Sequence, residues 1–390
     1  LLFTPLCRRV AQRTGFLAHP SDRGVHRTTT PLLGGVAIFF AFVIGMGVGG
    51  SFRALLPPTP TLGFLGGAIL IFAMGVIDDR IDLGWFSKLL GQIVAAVLLL
   101  ASLNGEGAFL LSPLGLVLSL VWVVGLTNAM NFLDNMDGIC AGIAACVAMA
   151  FVGLAVLNGQ METAVLAAAV GGSAMGFLRF NFPPARIFLG DGGSLFLGYS
   201  LAALGILSTR QTEFSLSLLV PVAVLAYPIF DITFVSITRY ARGQSLTQGG
   251  KDHTSHRLAR IKQSDRLTAV AIYGICASLG VLAIVLDGLA FPPGTVVAFF
   301  VVFFGFLAFG LRLARRAPVH SGTGDAEAAL GERFAGFGAA GLELADGRLL
   351  RRGSENGRSK QDRDRVTARS GDAERPVKIV STVEDAGTDD

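Results

Sequence analysis

The sequence predicts an all-α polytopic membrane protein with about ten complete transmembrane helices, a truncated one at the N-terminus, and its candidate active site on the cytoplasmic face. Three observations carry this reading. The 390-residue chain is 52% hydrophobic and 15% charged, where an ordinary soluble domain carries roughly 25% charged residues. Its mean hydropathy is +0.60. Its acidic clusters stand at the ends of apolar runs, where carboxylates at the edge of hydrocarbon are costly and therefore functional candidates.

Taken in order, the first residues (LLFTPLCRRVAQRTGF) read as the last turn of a truncated helix followed by a basic loop. Most of a first span is therefore expected to precede them, and no cleavable signal peptide is recognisable. Crossing hydrocarbon takes about 20 apolar residues. Runs at approximately 32–50, 61–77, 86–103, 110–127, 139–157, 163–180, 193–208, 214–236, 268–287 and 293–311 meet that length. Their many glycines, such as Gly34, Gly66 and Gly171, suit close helix packing in lipid. Arg8, Arg9, Arg13, Arg23 and Arg27 precede the first full run, which puts that loop in the cytoplasm. Alternation then places the loops holding Asp78, Asn128–Asp137, Arg179–Asp191 and Arg239–Arg266 on the same side, while the opposite loops carry only Arg53 and Arg210. Residues 1–316 thus form the membrane domain. Residues 317–390, rich in Gly, Asp, Glu and Arg, cannot bury enough apolar surface to offset ordering entropy and are expected to be a mostly disordered cytoplasmic tail.

Cysteine and charge exclude other classes. Cys140, Cys146 and Cys276 fall inside apolar runs and Cys7 stands alone, so no disulfide framework is expected. The net charge of +4 comes from basic loops, and without aromatic–basic interleaving it gives no reason to expect nucleic acid.

Four segments carry chemistry. Asp78 and Asp79 close one run, and Lys88 and Gln92 further on share a helical face at i,i+4. Adjacent carboxylates repel, so one holds a raised pKa or shares a cation; the alternative is a solvated loop with Arg80 and Asp82 as surface charges. Asn128, Asn131, Asp134, Asn135 and Asp137 crowd between two apolar runs. Asn131, Asp134 and Asp137 would align on one face if the segment is helical. Such side-chain oxygens suit a hard cation, Mg²⁺ above all, which shares its ligands with substrate phosphates. In NFPPARIFLGDGGS (181–194) the glycines allow close backbone approach to a ligand, and Asp191 among them reads as a metal or diphosphate ligand. Phe188 could stack on a base or simply anchor the interface. Lastly, His253 and His256, flanked by Lys251 and Arg257, form a cationic patch suited to phosphate. Zinc fits poorly there because no cysteine accompanies them.

In order along the chain, HRTTTPLLGG (26–35), GVIDDR (75–80), NAMNFLDNMDG (128–138), FNFPPARIFLGDGGS (180–194) and DHTSHRL (252–258) resemble the polyprenyl-phosphate N-acetylhexosamine-1-phosphate transferase superfamily, glycosyl transferase family 4. The resemblance reaches to about residue 311. It implies transfer of a sugar-1-phosphate from a UDP-sugar to a polyprenyl phosphate lipid with release of UMP. Mg²⁺ is the implied cofactor, with Mn²⁺ as a substitute. It implies that Asp191 is the metal ligand, that Asp78, beside Asp79, deprotonates the lipid phosphate, and that Asp134 and Asp137 lie near nucleotide and metal. Asn181 and Phe188 match uracil contacts, and His253 and His256 match the diphosphate and sugar end. Asn128, Asn131, Lys88 and Arg257 are expected to contact substrate. The branch that loads phospho-N-acetylmuramoyl-pentapeptide usually shows three histidines and a TDGLDGL-like loop. NFLDNMDGI and HTSH resemble instead the branch that handles N-acetylglucosamine for envelope polysaccharides, although Ser255 replaces a histidine frequent there. The expected location is the inner (plasma) membrane, and a homodimer is a further expectation. The competing class is an ion-coupled secondary transporter, whose carboxylates would lie at the midplane of repeated halves; the sequence has no visible internal repeat.

Overall fold

The computed structural model describes residues 1–18, 29–49, 59–104, 110–209, 219–245, 250–288 and 292–317, all within one unit, Leu1–Ala339. Beyond Ala317 the expected tail lies outside the described residues. The elements are α1 (Phe3–Thr14), β1 (Leu17–Ala18), β2 (Thr30–Pro31), α2 (Gly34–Val48), α3 (Thr59–Ile81), α4 (Trp85–Ala101), α5 (Pro113–Leu133), α6 (Ile139–Leu157), α7 (Met161–Asn181), α8 (Asp191–Thr209), α9 (Leu219–Val224), α10 (Ala226–Ala241), α11 (Thr254–Lys262), α12 (Asp265–Gly288) and α13 (Pro292–Arg316). The protein is an all-α membrane protein. Among the described residues seven helices are long and apolar enough to cross a membrane, and α2 and α4 are shorter apolar helices. The only pairing of strands among these residues is the two-residue antiparallel ladder of β1 with β2, Leu17 opposite Pro31.

Two elements differ from the sequence expectation. α1 is twelve residues long, more than a last turn, and Gly15 closes it in the left-handed region at φ 70°. The run expected over 214–236 is broken into α9 and α10 at Leu225. Proline lacks an N–H and its ring collides with the carbonyl four residues back. For Pro228 that carbonyl belongs to Val224, the last residue of α9. The ladder resumes on either side, with Leu225 N donating to Pro221 O and Ile229 N to Leu225 O.

α8 is the axis of the bundle. It is buried over nearly its whole length and packs against α2, α3, α5, α6 and α7. Its glycines allow this. A Cβ on Gly198 would stand 2.8 Å from the Thr127 Cα of α5, and nearby the Trp122 indole donates to Ala202 O at 3.0 Å. Around the axis, Phe39 of α2 stacks on Phe72 of α3 with centroids 4.1 Å apart. The cysteines are free thiols, as their apolar surroundings implied.

A close backbone crossing lies where α3 meets the start of α8. A Cβ on Gly75 would be 2.6 Å from the Asp191 carbonyl oxygen and 2.6 Å from the Gly192 Cα, and neither backbone can give way. Gly75→Ala should therefore destabilise the protein by about 1–3 kcal/mol, the usual cost of overpacking. Gly66→Ala, whose Cβ would meet only Leu98 Cδ1 at 3.9 Å, should not. Thermal unfolding of both variants in one detergent checks the pair.

Candidate active site

The acidic segments meet at one end of the bundle because of how helix ends are satisfied. The first N–H groups of α8 have no partner within the helix. Asp79, in the last turn of α3, supplies one: its Oδ1 accepts from Asp191 N at 2.7 Å and its Oδ2 from Gly192 N at 3.1 Å. A carboxylate there also complements the positive end of the helix dipole. Gly190 makes the approach possible. It sits at φ 76°, and a Cβ on it would stand 2.7 Å from Asp79 Oδ2. Asp79 thus positions the start of α8, and with it Asp191.

Asp78, one residue earlier, points elsewhere around the helix. Its Oδ1 accepts from Leu83 N at 2.7 Å, its Oδ2 is paired with Lys88, and its side chain is 1% exposed. The Lys88 ammonium also lies 3.7 Å from Asp191 Oδ2. Asp191 completes the arrangement by accepting at Oδ1 from Asn131 Nδ2 at 2.8 Å, while the same amide group donates to Ser194 Oγ at 2.9 Å. The Asp191 side chain remains 37% exposed. It is a held carboxylate with an open edge.

The 128–138 segment is not one helical face. α5 ends at Leu133, and Asp134 is its C-cap at φ −79°, ψ 39°. Asn131 is therefore helical, whereas Asp134 and Asp137 lie in a turn that Gly138 closes at φ 75°. Burial, and then the carboxylates of Asp191, Asp79 and Asp137, hold the Asp134 carboxyl well above the ordinary carboxylate range. Asp137 Oδ2 accepts from Ala185 N at 2.8 Å. Asn181, buried, clamps the same two segments: its Oδ1 accepts from Gly138 N and its Nδ2 donates to Ile187 O, each at 3.0 Å. Both ends of the amide are used. Phe188 is half-buried, and its backbone ties the loop to the start of α2 through Pro31 O and Gly34 N. Asn128 is likewise engaged, exchanging hydrogen bonds with the buried Gln92 at 2.7 and 3.3 Å and so fastening α5 to α4.

The histidine segment joins the same end. Ser255 Oγ donates to Asn135 Oδ1 at 2.8 Å, so the serine standing where a histidine was expected links α11 to the acidic turn. His253 is buried, with its Nδ1 2.7 Å from Asp231 Oδ2. Asp231 Oδ1 accepts from Thr254 N at 2.9 Å and from Thr254 Oγ1 at 2.5 Å, and Tyr227 Oη lies 2.9 Å from that hydroxyl. Asp231 escaped the sequence reading. Its signal was there, a lone carboxylate inside the apolar run YPIFDITFV. Arg239 makes a two-pronged pair with Asp252, each bond 2.7 Å; burial alone would raise the Asp252 carboxyl, but these bonds hold it below its ordinary range. Arg257 is not brought to the acidic cluster. It is fully buried, donates to Asp252 O and Ala317 O, and its guanidinium carbon lies 5.2 Å from the Phe234 ring centroid. His256 is also less cationic than its neighbours suggested. Burial, then His253, Lys251 and Arg260, lowers its pKa to about 4.

Among the described residues no three His, Cys, Asp or Glu side chains form a ready-made metal cluster. Mg²⁺ does not need one, since it commonly takes one or two carboxylates together with substrate phosphates and waters. The donors here are all hard oxygens, and Asp134, raised first by burial and then by the carboxylates of Asp191, Asp79 and Asp137, stands among like charges that a cation would relieve. The residues present fit such an ion.

An all-helical membrane protein with amide-held carboxylates and a lysine at one end of its bundle is the class that fold and site define. The chain belongs to glycosyl transferase family 4, the polyprenyl-phosphate N-acetylhexosamine-1-phosphate transferase superfamily. The family's model matches residues 61–209. The chain is 33% identical over 313 residues to a probable undecaprenyl-phosphate N-acetylglucosaminyl 1-phosphate transferase of Bacillus subtilis, covering 78% of this chain and 86% of that one. It is 33% identical over 306 residues to a decaprenyl-phosphate N-acetylglucosaminephosphotransferase of Mycobacterium tuberculosis, covering 68% and 74%. To a phospho-N-acetylmuramoyl-pentapeptide-transferase of Lactiplantibacillus plantarum it is 32% identical over 233 residues, covering 54% and 72%.

Two outcomes follow from the histidine segment. Asp231→Asn should lower turnover by roughly 10²-fold, within the range for disturbing a group that moves or holds a proton. It should also shift the pH profile, which a purely structural loss would not do; turnover measured across pH with folded protein checks this. For His256, an unfolded imidazole binds a proton near pH 6.5 and the folded one only near 4. Between those values the unfolded chain binds more protons, so this residue's stability contribution is complete above 6.5 and is lost as pH falls toward 4. Comparing unfolding of wild type and His256→Gln over that window should show the flatter dependence in the variant.

Proposed function

We propose that this protein transfers N-acetylglucosamine-1-phosphate from UDP-N-acetylglucosamine to a polyprenyl phosphate, releasing UMP, at the start of an envelope polysaccharide. The carrying observation is the junction of Asp191, Lys88, Asp78 and Asn131 at one end of the bundle, supported by the names of the relatives from Bacillus subtilis and Mycobacterium tuberculosis. Phosphoryl transfer asks a protein mainly for positioning and charge neutralisation. A lipid phosphate oxygen attacks the sugar-bearing phosphorus of the donor, the bond to the bridging oxygen breaks, and UMP departs. Lys88 draws the lipid phosphate toward the reacting phosphorus, and Asp78, paired with it, takes the phosphate's proton. Asp191, with Asp134 nearby, would hold a Mg²⁺ ion, which would supply charge neutralisation of the diphosphate. The excess of Lys and Arg in the loops at this end favours a cytoplasmic orientation in the plasma membrane.

The test is a competition between UDP-N-acetylglucosamine and UDP-N-acetylmuramoyl-pentapeptide on one preparation, with undecaprenyl phosphate and Mg²⁺, the lipid products identified by mass. The N-acetylglucosamine lipid should dominate, chelation should abolish its formation, and Asp191→Asn should lower it by about 10²-fold or more, the loss of several kcal/mol of charge stabilisation. A dominant pentapeptide lipid would overturn the donor. A folded Asp191→Asn protein with wild-type turnover would overturn the metal site.

A further inference from the structure

Behind the loop that carries Phe188 and Asp191 lies a groove of about 530 Å³ that none of the chemistry above uses. It is lined by Arg179, Arg186 and Arg266 together with apolar side chains including Met175, Leu178 and Phe182, with no carboxylate in its wall. All three arginines are exposed. Among the described residues none of them has an acidic partner. Arg266 is steadied by its Nε, which donates to Pro183 O at 2.8 Å.

The order of the lining follows the order of an amphiphile. Arg179 stands in the last turn of the apolar helix Met161–Asn181, and Arg266 in the first turn of Asp265–Gly288. Both therefore mark the ends of helices that are long enough to cross hydrocarbon, at the level of lipid headgroups. Met175 is one turn further into α7 than Arg179, on the same face, and is 51% exposed. Charge at the boundary gives way to apolar surface one turn inward. We propose that this groove binds an anionic glycerophospholipid, its phosphate on Arg179, Arg186 and Arg266 and an acyl chain along Met175 and Leu178. Guanidinium groups suit that phosphate through forked hydrogen bonds. The acceptor lipid of the proposed reaction is a poorer match, because its phosphate must reach Lys88 and Asp78 on α4 and α3, whereas the groove is built on α7, α12 and the 182–186 segment.

The experiment uses the full chain in nanodiscs of phosphatidylcholine containing a minor fraction of phosphatidylglycerol, with retained lipid counted by native mass spectrometry. Wild type should retain phosphatidylglycerol in preference to phosphatidylcholine. Arg179→Gln with Arg186→Gln should lower that preference by about tenfold to thirtyfold, as expected for removing two interfacial cationic charges. A control that removes exposed charge elsewhere, Arg260→Gln with Lys262→Gln, should retain it. Equal retention by wild type and the groove variant would overturn the proposal, as would equal loss in the control. Displacement of the retained lipid by undecaprenyl phosphate, but not by phosphatidic acid, would assign the groove to the acceptor and overturn it equally. Should the double variant fold poorly, Arg186→Gln alone, in a loop outside the helices, gives the same readout with a smaller shift.

Discussion

The grip of Asp79 on the first amides of α8 is the constraint from which the site follows. α8 is buried along its length, so its unpaired N–H groups cannot turn to water, and a buried polar group without a partner costs free energy comparable to a lost hydrogen bond. Placing a carboxylate across from them fixes α3 against α8 and fixes where Asp191 begins. The glycines at 75, 190 and 192 are the steric condition of that contact, because any Cβ there would meet backbone, the Val76 side chain or the Asp79 carboxylate. A charge that elsewhere would repel Asp191 is here employed to hold it.

The remaining polar groups divide between framework and chemistry more unevenly than their density suggests. Asn128 and Asn181 spend their hydrogen-bonding capacity on protein atoms, Arg257 bonds to two backbone carbonyls, and Asp137 and Asn135 fasten the acidic turn to neighbouring segments. Asp191 and Lys88 retain partial exposure. An array of this kind keeps side chains from relaxing apart, which matters where carboxylates stand near one another and each would lower its energy by moving away.

Much of this was legible in the sequence. Hydropathy located the apolar runs because burial in lipid requires uninterrupted length, and α3 through α8 fall within a few residues of the runs read from composition. The motif residues were legible because carboxylates at the ends of apolar helices are rare without purpose. What was hidden depends on contacts between distant segments. Period alone could not show that Asp134 turns away from the helix at Leu133, or that Pro228 would divide one run into α9 and α10. Asp231 was concealed by its apolar surroundings, and its role became visible only once His253 and Thr254 were seen to rest on it. The histidine pair read as cationic, yet burial opposes charge on His256, an effect no local pattern records.

The bond between Ser255 and Asn135 spans 120 positions of the chain, and that between Asp79 and Asp191 spans 112. A ribosome delivers these partners at different times. When Asp191 reaches the membrane, α3 is already there to receive it, but the acidic turn must wait for α11 before its last tie can form. The nascent chain therefore carries its carboxylates through insertion without the segment that completes them, and the assembled centre comes into being only once α11 has been made. Interrupted translation products that end before residue 250 would hold every acidic residue of the cluster and still lack the histidine wall.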